Sequence, residues 1–348
     1  MNPTTGRRRW DRLGPRLEAV LAAVGRARVL ADVGTDHGYL PAAAILRGQA
    51  QRAIATDLRR APLEAARRVV RAAGVEGAVE LRQGAGLEPL APGEADAVVV
   101  AGLHGKTIAA ILRDGAPRLL PGTRIVLQPT RGADALRLPA LAAIPRAASP
   151  APTAGPAGRD SGAGHPPAPP GRWTLWIALE GEGLVTEGRH TYVVIRGRVV
   201  GRGVLPPGEG GGPTGGGAAA SPHPKGEPAP AEAWFDISDE PAFVWLWDGA
   251  TSAAALALAA LARRSGVDPR EAVARVGPAL LVAERGGPHP QLARWLDELG
   301  RPWRRALQMN PGSTQRAVAS RRRAAAWLAF LREVGRLAGV ADATPAPN

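Results

Sequence analysis

The chain has 348 residues, enough for two domains and a substantial core, and it has no cysteine, which excludes disulfides, thiolate metal sites and cysteine nucleophiles. A formal net charge of +13 suggests a polyanionic partner, although Lys106 and Lys225 are the only lysines among 44 basic residues, an arginine bias that also suits a GC-rich genome. The longest apolar run, Ala253 to Ala262, is too short to span a bilayer, and Arg7-Arg8-Arg9-Trp10 is not the apolar segment of a secretory signal, so a soluble, cytoplasmic protein is expected.

Leu13, Leu17, Val20, Leu21 and Val24 recur at helical spacing and lead into a first strand, Val29–Val33. That run breaks at Gly34, and an Ala-rich helical pattern resumes from Leu40 to about Leu46. A strand that ends in glycine and opens a helix is where doubly wound α/β domains bind a nucleotide-like ligand. Gly34 suits the tight turn, Gly38 a close backbone approach, and the helix N-terminus is expected to offer free N–H groups. A second strand, Ala53–Asp57, precedes a helix with Pro62 in its first turn and Leu63, Ala66, Val70 and Ala73 on one face, ended by Gly74. Val79–Arg82 reads as a third strand, followed by Gln83-Gly84-Ala85-Gly86. Asp96–Gly102 is a fourth, with Leu103-His104-Gly105-Lys106 at its carboxyl end, then a helix over Thr107–Leu112 and a fifth strand, Arg124–Pro129. This alternation predicts a parallel sheet with helices on both faces.

Residues 146–172 are mostly Ala, Pro and Gly and read as a flexible insertion. Trp173–Glu180 and His190–Arg196 then form an expected closing strand pair. A second low-complexity tract, 201–232, contains two Gly triplets and reads as a disordered linker. Residues 233–340 look helical. Leu292, Trp295, Leu296, Leu299 and Trp303 make one apolar stripe, with Pro302 expected to kink or restart the helix. Trp327, Phe330, Leu331, Val334 and Leu337 make another. Joined by a turn at 310–313, the two predict an antiparallel hairpin over 289–338. Ten Arg against Asp297, Glu298 and Glu333 in this stretch suit either a phosphate-contacting surface or a solvated face. The expected plan is therefore an α/β, doubly wound domain over 1–200, a linker over 201–232 and an all-α domain over 233–340.

The charges in the first loop choose among ligands. A dinucleotide fingerprint has glycine where the pyrophosphate sits, whereas Asp32, Asp36 and His37 occupy this loop, and two carboxylates repel a pyrophosphate. They attract the amine and sulfonium of S-adenosylmethionine (SAM). Asp57, at the end of the second strand, is placed to bind both ribose hydroxyls. The pair of segments points to a SAM-dependent methyltransferase.

The same segments, in order, resemble the bacterial tRNA (adenine-22-N1)-methyltransferases. Arg16-Leu-Glu-Ala-Val20, Ala31-Asp-Val-Gly-Thr-Asp-His-Gly-Tyr-Leu-Pro41, Ala53-Ile-Ala-Thr-Asp57, Arg82-Gln-Gly-Ala-Gly-Leu87, Gly93-Glu-Ala-Asp96, Val100-Ala-Gly102, Leu127-Gln-Pro129 and Val276-Gly-Pro-Ala-Leu-Leu281 carry the resemblance. It implies a Rossmann-like class I methyltransferase sheet that binds SAM, followed by a helical hairpin that helps to hold tRNA. By the same resemblance Asp32, Gly34 and Thr35 would line the methionine end of the cofactor and Asp57 the ribose, with Gly84, Ala85 and Gly102 completing the cofactor site. Asp36 and His37 would face the reaction centre, and His104, Arg305 and Arg321 would contact the substrate. Three segments depart from the family's usual Gly-Asp-Gly, Ala-Gly-Met-Gly-Gly and Gln-Pro-Asn, namely Gly84-Ala85-Gly86, Ala101-Gly-Leu-His104-Gly105 and Gln128-Pro-Thr130.

Each assignment has a plainer counterpart. Asp36 also suits a helix N-cap, His37 an exposed loop, Tyr39 simple packing, and His104 with Lys106 a surface turn. The scattered histidines have no metal-ligand spacing, so no metal is expected. The expected activity is methylation of N1 of an adenine in tRNA. A non-catalytic RNA-binding relic of the family, or a methyltransferase acting on a small molecule or protein, are the alternatives.

Overall fold

The computed structural model describes residues 12–137, 172–205, 243–282, 288–309 and 314–340. An opening helix α1 (Pro15–Val24) leads into β1 (Ala27–Val33), α2 (Tyr39–Leu46), β2 (Ala50–Asp57), α3 (Arg60–Ala72) and β3 (Val79–Gln83). Then come β4 (Ala97–His104), α4 (Gly105–Asp114), β5 (Arg124–Arg131) and the short α5 (Asp134–Arg137). Two 16-residue strands, β6 (Arg172–Glu187) and β7 (His190–Leu205), form a hairpin, and β8 (Phe243–Leu246) follows. Helices α6 (Gly249–Arg264), α7 (Pro269–Val276), α8 (Leu292–Met309) and α9 (Gln315–Leu337) complete the described chain.

All eight strands belong to one sheet in the order β3-β2-β1-β4-β5-β7-β6-β8. The pairs from β3 to β5 are parallel, and β7 joins β5 antiparallel. The order reverses between β1 and β4, so their carboxyl ends diverge and leave a crevice.

Period-two alternation divides the core. On β1 and β4, Leu30, Ala97 and Val99 face one layer with α1, α2 and α3, while Val29, Ala31, Val98 and Val100 face the other. That second layer is covered by Ile108 and Leu112 of α4 and is continuous with Leu258, Val273, Trp327 and Phe330 of the C-terminal helices. The helical region is thus not a body tethered to the sheet, because it shares the sheet's own core.

Three expectations are corrected. The tract read as a linker from residue 201 begins as strand, since β7 runs to Leu205 and Gly201 pairs with Trp176. Trp176 lies over Gly201, close enough that a Cβ there would meet its ring at 3.2 Å, so the aromatic ring supplies the packing that glycine lacks. Residues 233–340 are not all helical, because β8 adds to the sheet edge parallel to β6. Helix α8 runs through Pro302 without restarting. The tract at 206–232, the insertion before β6 and the turn at 310–313 lie outside the described residues.

The hairpin of α8 and α9 is held by Trp303 and Trp327, stacked with centroids 5.3 Å apart, and by Phe330 edge-on to Trp327. Arg275 and Arg323 lie over this aromatic pair, and Glu271 bonds to both guanidinium groups. Part of the hairpin's arginine excess is therefore structural.

Arg137 joins the two halves. Its guanidinium makes two parallel bonds to Glu182 on β6, at 2.8 and 3.1 Å, and donates to the carbonyls of Ala274 and Arg275 at the end of α7. Both side chains are 3% exposed. Gly277, at φ +84°, ends α7 where a Cβ would collide with this pair.

Breaking a buried pair leaves an uncompensated charge, which costs about 3–5 kcal/mol. Arg137→Ala is expected to lose stability on that scale in urea unfolding, whereas Arg113→Ala, which removes an exposed pair with Asp114, should change it by less than about 1 kcal/mol. Equal effects of the two substitutions would refute the anchoring role.

Candidate active site

A cleft of about 730 Å³ opens at the carboxyl ends of β1, β2 and β4, where the strand order reverses. Its floor is the loop between β1 and α2. The carbonyl of Thr56 on β2 accepts hydrogen bonds from both Gly34 N–H and Thr35 N–H, each at 2.9 Å. Asp36 N–H donates to Asp57 Oδ2 at 3.3 Å, and Gly38 N–H to the Thr35 carbonyl at 3.1 Å. These four loop amides are all engaged within the protein. An anion cradle needs such groups unpaired, so these four do not serve as one.

What the loop presents is negative charge. Asp32 is buried, and Thr35 Oγ1 donates to its Oδ2 at 2.6 Å. Burial pushes the Asp32 carboxyl up to about 6; the Thr35 bond opposes this, and the nearby Asp57 charge adds to it. Asp57, also buried, accepts from Asp36 N–H and from Arg59 N–H. Asp36 is the one non-glycine residue at positive φ (54°) among the described residues. Its carboxylate is 61% exposed and lies 3.4 Å from His37 Nε2. Helix α2 starts at Tyr39 with Gly38 as its N-cap, so Asp36 does not cap it. Gly38 (φ +69°) lies against α3, where a Cβ would meet Ala66 Cβ at 3.0 Å and Cα at 3.2 Å. That contact sets how closely the loop approaches the neighbouring helix.

The opposite wall is built on β4. The β4–β5 register slips at Gly102, a bulge at φ +77° whose N–H leaves the ladder. Gln128 of β5, fully buried, catches it, its Oε1 accepting from Gly102 N–H at 3.2 Å and from Arg16 Nη1 at 2.6 Å. Arg16, from α1, also lines the cleft, as do Leu58, Ala85, Thr107 and Ile111.

The structure thus brings Asp32, Gly34, Thr35, Asp36, His37, Asp57, Gly84, Ala85 and Gly102 to one cleft. Three expected substrate residues are not part of it. His104 ends β4, its Nδ1 accepts from Lys106 N–H at 3.2 Å as the N-cap of α4, and its ring lies against Gly132. Arg305 and Arg321 sit on α8 and α9, away from the cleft lining. Thr130 donates its hydroxyl to the Leu103 carbonyl and so ties β5 to β4. No local spacing links Arg16 with Gln128, which stand 112 positions apart. Among the described residues no group of acids and histidines is arranged to hold a metal ion, and no helix is long and apolar enough to cross a membrane.

Fold and cleft together define a Rossmann-like domain, of which residues 13–142 match the family described as a methyltransferase domain. Within that class the chain is similar to the tRNA (adenine(22)-N(1))-methyltransferase of Bacillus subtilis (strain 168), with 41% identity over 118 residues, 34% of this chain and 50% of that protein. The match thus spans about half the length of this curated relative. The whole fold is also similar to solved structures. The tRNA methyltransferase TrmK of B. subtilis superposes with a TM-score of 0.54 at 21% identity, over 93% of this chain and 98% of that one. A Streptococcus pneumoniae protein in complex with S-adenosyl-L-methionine gives 0.51 at 19% identity, over 92% and 97%. The resemblance drawn from the sequence is borne out.

The raised Asp32 value has a signed consequence. The folded chain holds this proton more tightly than the unfolded chain, so the stability it contributes is fully present below the ordinary value of 3.8 and is lost as pH rises through about 6. Between pH 4 and 7 the wild type should lose about 2 kcal/mol relative to Asp32→Asn in urea unfolding. Parallel pH profiles for the two proteins would contradict the burial of an ionisable Asp32.

Proposed function

We propose that the chain transfers a methyl group from SAM to N1 of an adenine in tRNA. The observation that carries this reading is the cleft at the switch point, whose wall is acidic. Such a wall rejects a pyrophosphate and suits a ligand with a cationic amine, a sulfonium and a ribose diol. The named relative supports the nucleic-acid substrate.

The residues present fit that cofactor. Asp32 and the Gly34–Thr35 turn take the methionine end, Asp57 takes the ribose hydroxyls, and the Gly84-Ala85-Gly86 segment flanks the adenine. Ala85 offers no side-chain acceptor to the adenine amine, a loss of about 0.5–1.5 kcal/mol. When bound, the cofactor supplies an electrophilic methyl group on a positively charged sulfur. Adenine N1 already carries a lone pair, so the protein need not supply a strong base; holding the base in line with the C–S bond supplies most of the acceleration. Asp36, exposed at the cleft and free of any capping duty, stabilises the positive charge that develops on the methylated ring or takes a proton from its exocyclic amine. His37, 3.4 Å away, orients the base or the carboxylate. Arg305 and Arg321 on the hairpin contact the phosphate backbone, so affinity for tRNA should fall steeply with salt.

Incubation of the protein with unmodified bacterial tRNA and SAM carrying a labelled methyl group, followed by mapping of the modified base, tests the reading. Label on adenine N1 is expected, with at least about a 100-fold lower rate in Asp36→Ala and weaker tRNA binding in Arg305→Glu. SAM binding without transfer to any tRNA would favour a small-molecule or protein substrate, and tRNA binding without SAM binding would favour the relic.

A further inference from the structure

Many arginines of this fold are committed within it. Arg16 is held by Gln128, Glu187 and the Tyr192 ring, Arg82 by Glu80 and Glu94, and Arg137 by Glu182. Helix α3 breaks that pattern. Arg59, Arg60, Arg67, Arg68 and Arg71 stand in it or at its cap against one acid, Glu64. All of them are exposed, and Arg67, Arg68 and Arg71 have no hydrogen bond or ion pair from their side chains among the described residues.

Helical spacing turns these residues into a stripe. At 3.6 residues per turn Arg60, Glu64, Arg67 and Arg71 fall within about 60° of one another around the axis, over a length of about 17 Å. Arg60 and Glu64 form an ion pair at 3.5 Å. The opposite side of the helix, with Pro62, Leu63, Ala66 and Val70, is buried. One end of the stripe is at the cleft, because Arg59 belongs to the cleft lining. The other end is a groove of about 490 Å³ between α3 and β3, lined by Arg67 and Arg71 together with Arg52 of β2. Arg52 and Arg82 share Glu80 and Glu94, so those four charges cancel. What remains at the groove is the two guanidinium groups of Arg67 and Arg71 and the carboxylate of Glu76.

Like charges four residues apart weaken a helix, and nothing in the packing or capping of α3 uses Arg67 or Arg71. A row of such groups that starts at a cleft and ends in a groove suits the repeating charge of a phosphate backbone. The stripe also lies on the sheet face opposite the α8–α9 hairpin. Val70 belongs to the layer of α1 and α2, whereas Trp327 and Phe330 belong to the other layer.

We infer that the α3 stripe and the Arg67–Arg71 groove form a second RNA-contacting surface, which holds the backbone of the strand leading away from the target base. The inference rests on the tRNA reading above and deepens it. The substrate is then gripped from both faces of the sheet, by the hairpin on one and α3 on the other, with the cleft between them.

Fluorescence anisotropy with unmodified tRNA over a salt series, on wild type, Arg67→Gln/Arg71→Gln and Arg26→Gln/Arg28→Gln, tests this. The second pair removes the same charge from exposed residues at the amino end of β1, and Gln keeps α3 a good helix. The α3 pair should weaken tRNA binding about tenfold or more and lower the slope of log affinity against log salt by about 1.4–1.8, the value for two phosphate contacts. The control pair should change affinity by less than about twofold, and SAM binding should be unaltered in both. Equal losses in the two pairs, or no loss on α3, would overturn the inference and leave the tRNA reading standing. So would inorganic tripolyphosphate binding that depends on Arg67 and Arg71 while tRNA binding does not. A wild type that binds no tRNA would overturn both. Crosslinking of thiouridine-labelled tRNA to wild type needs no variant: label is expected within residues 59–71, and its restriction to the hairpin would overturn the inference.

Discussion

One carbonyl organises the ligand-binding half of the molecule. Thr56 C=O accepts the N–H groups of both Gly34 and Thr35, which folds the β1–α2 loop back onto β2. That single double acceptance places Asp32 beside Asp57 and removes the amides that would otherwise make the loop an anion nest. The chain then takes a left-handed step at Asp36, whose carboxylate is exposed at the cleft. The acidity of the site is thus a property of the backbone path as much as of the residues carried on it.

A second buried acceptor does the same for the facing wall. Gln128 has no exposed surface, and its carbonyl oxygen holds both the bulged Gly102 and Arg16. Arg16 is braced in turn by Glu187 at the tip of the β6–β7 hairpin. The closing strand pair therefore reaches the cleft through one salt bridge and one aromatic ring, although neither strand lines it at length. A buried amide with two donors on one oxygen tolerates no apolar replacement without stranding both of them.

Much of this was legible in the sequence where the signal is local. The apolar runs of β1, β2 and β4 are buried on both faces, as parallel strands require. The acids that choose the ligand stand in the one loop that the topology makes functional. What escaped reading is tertiary. Gly201 and its neighbours look like linker, because glycine has a weak strand preference, yet the ladder with β6 and the overlying Trp176 hold them extended. Strand β8 has four residues at the sheet edge, too few to announce a period. His104 stands at a strand's carboxyl end, but its ring nitrogen serves the backbone of the following helix. Arg16 and Gln128 meet only because α1 lies over β5.

The continuity of the core across the sheet and the C-terminal helices bears on how the chain is made and kept. One face of the sheet, including Leu175, Ile177 and Ile195, belongs to the same apolar cluster as Trp327 and Phe330. During synthesis that face must wait for helices encoded far downstream, and until they arrive it is an open apolar surface of the kind that drives association between nascent chains. The sheet therefore completes its core only when those helices have docked. Its partner helices act as an internal chaperone that never leaves.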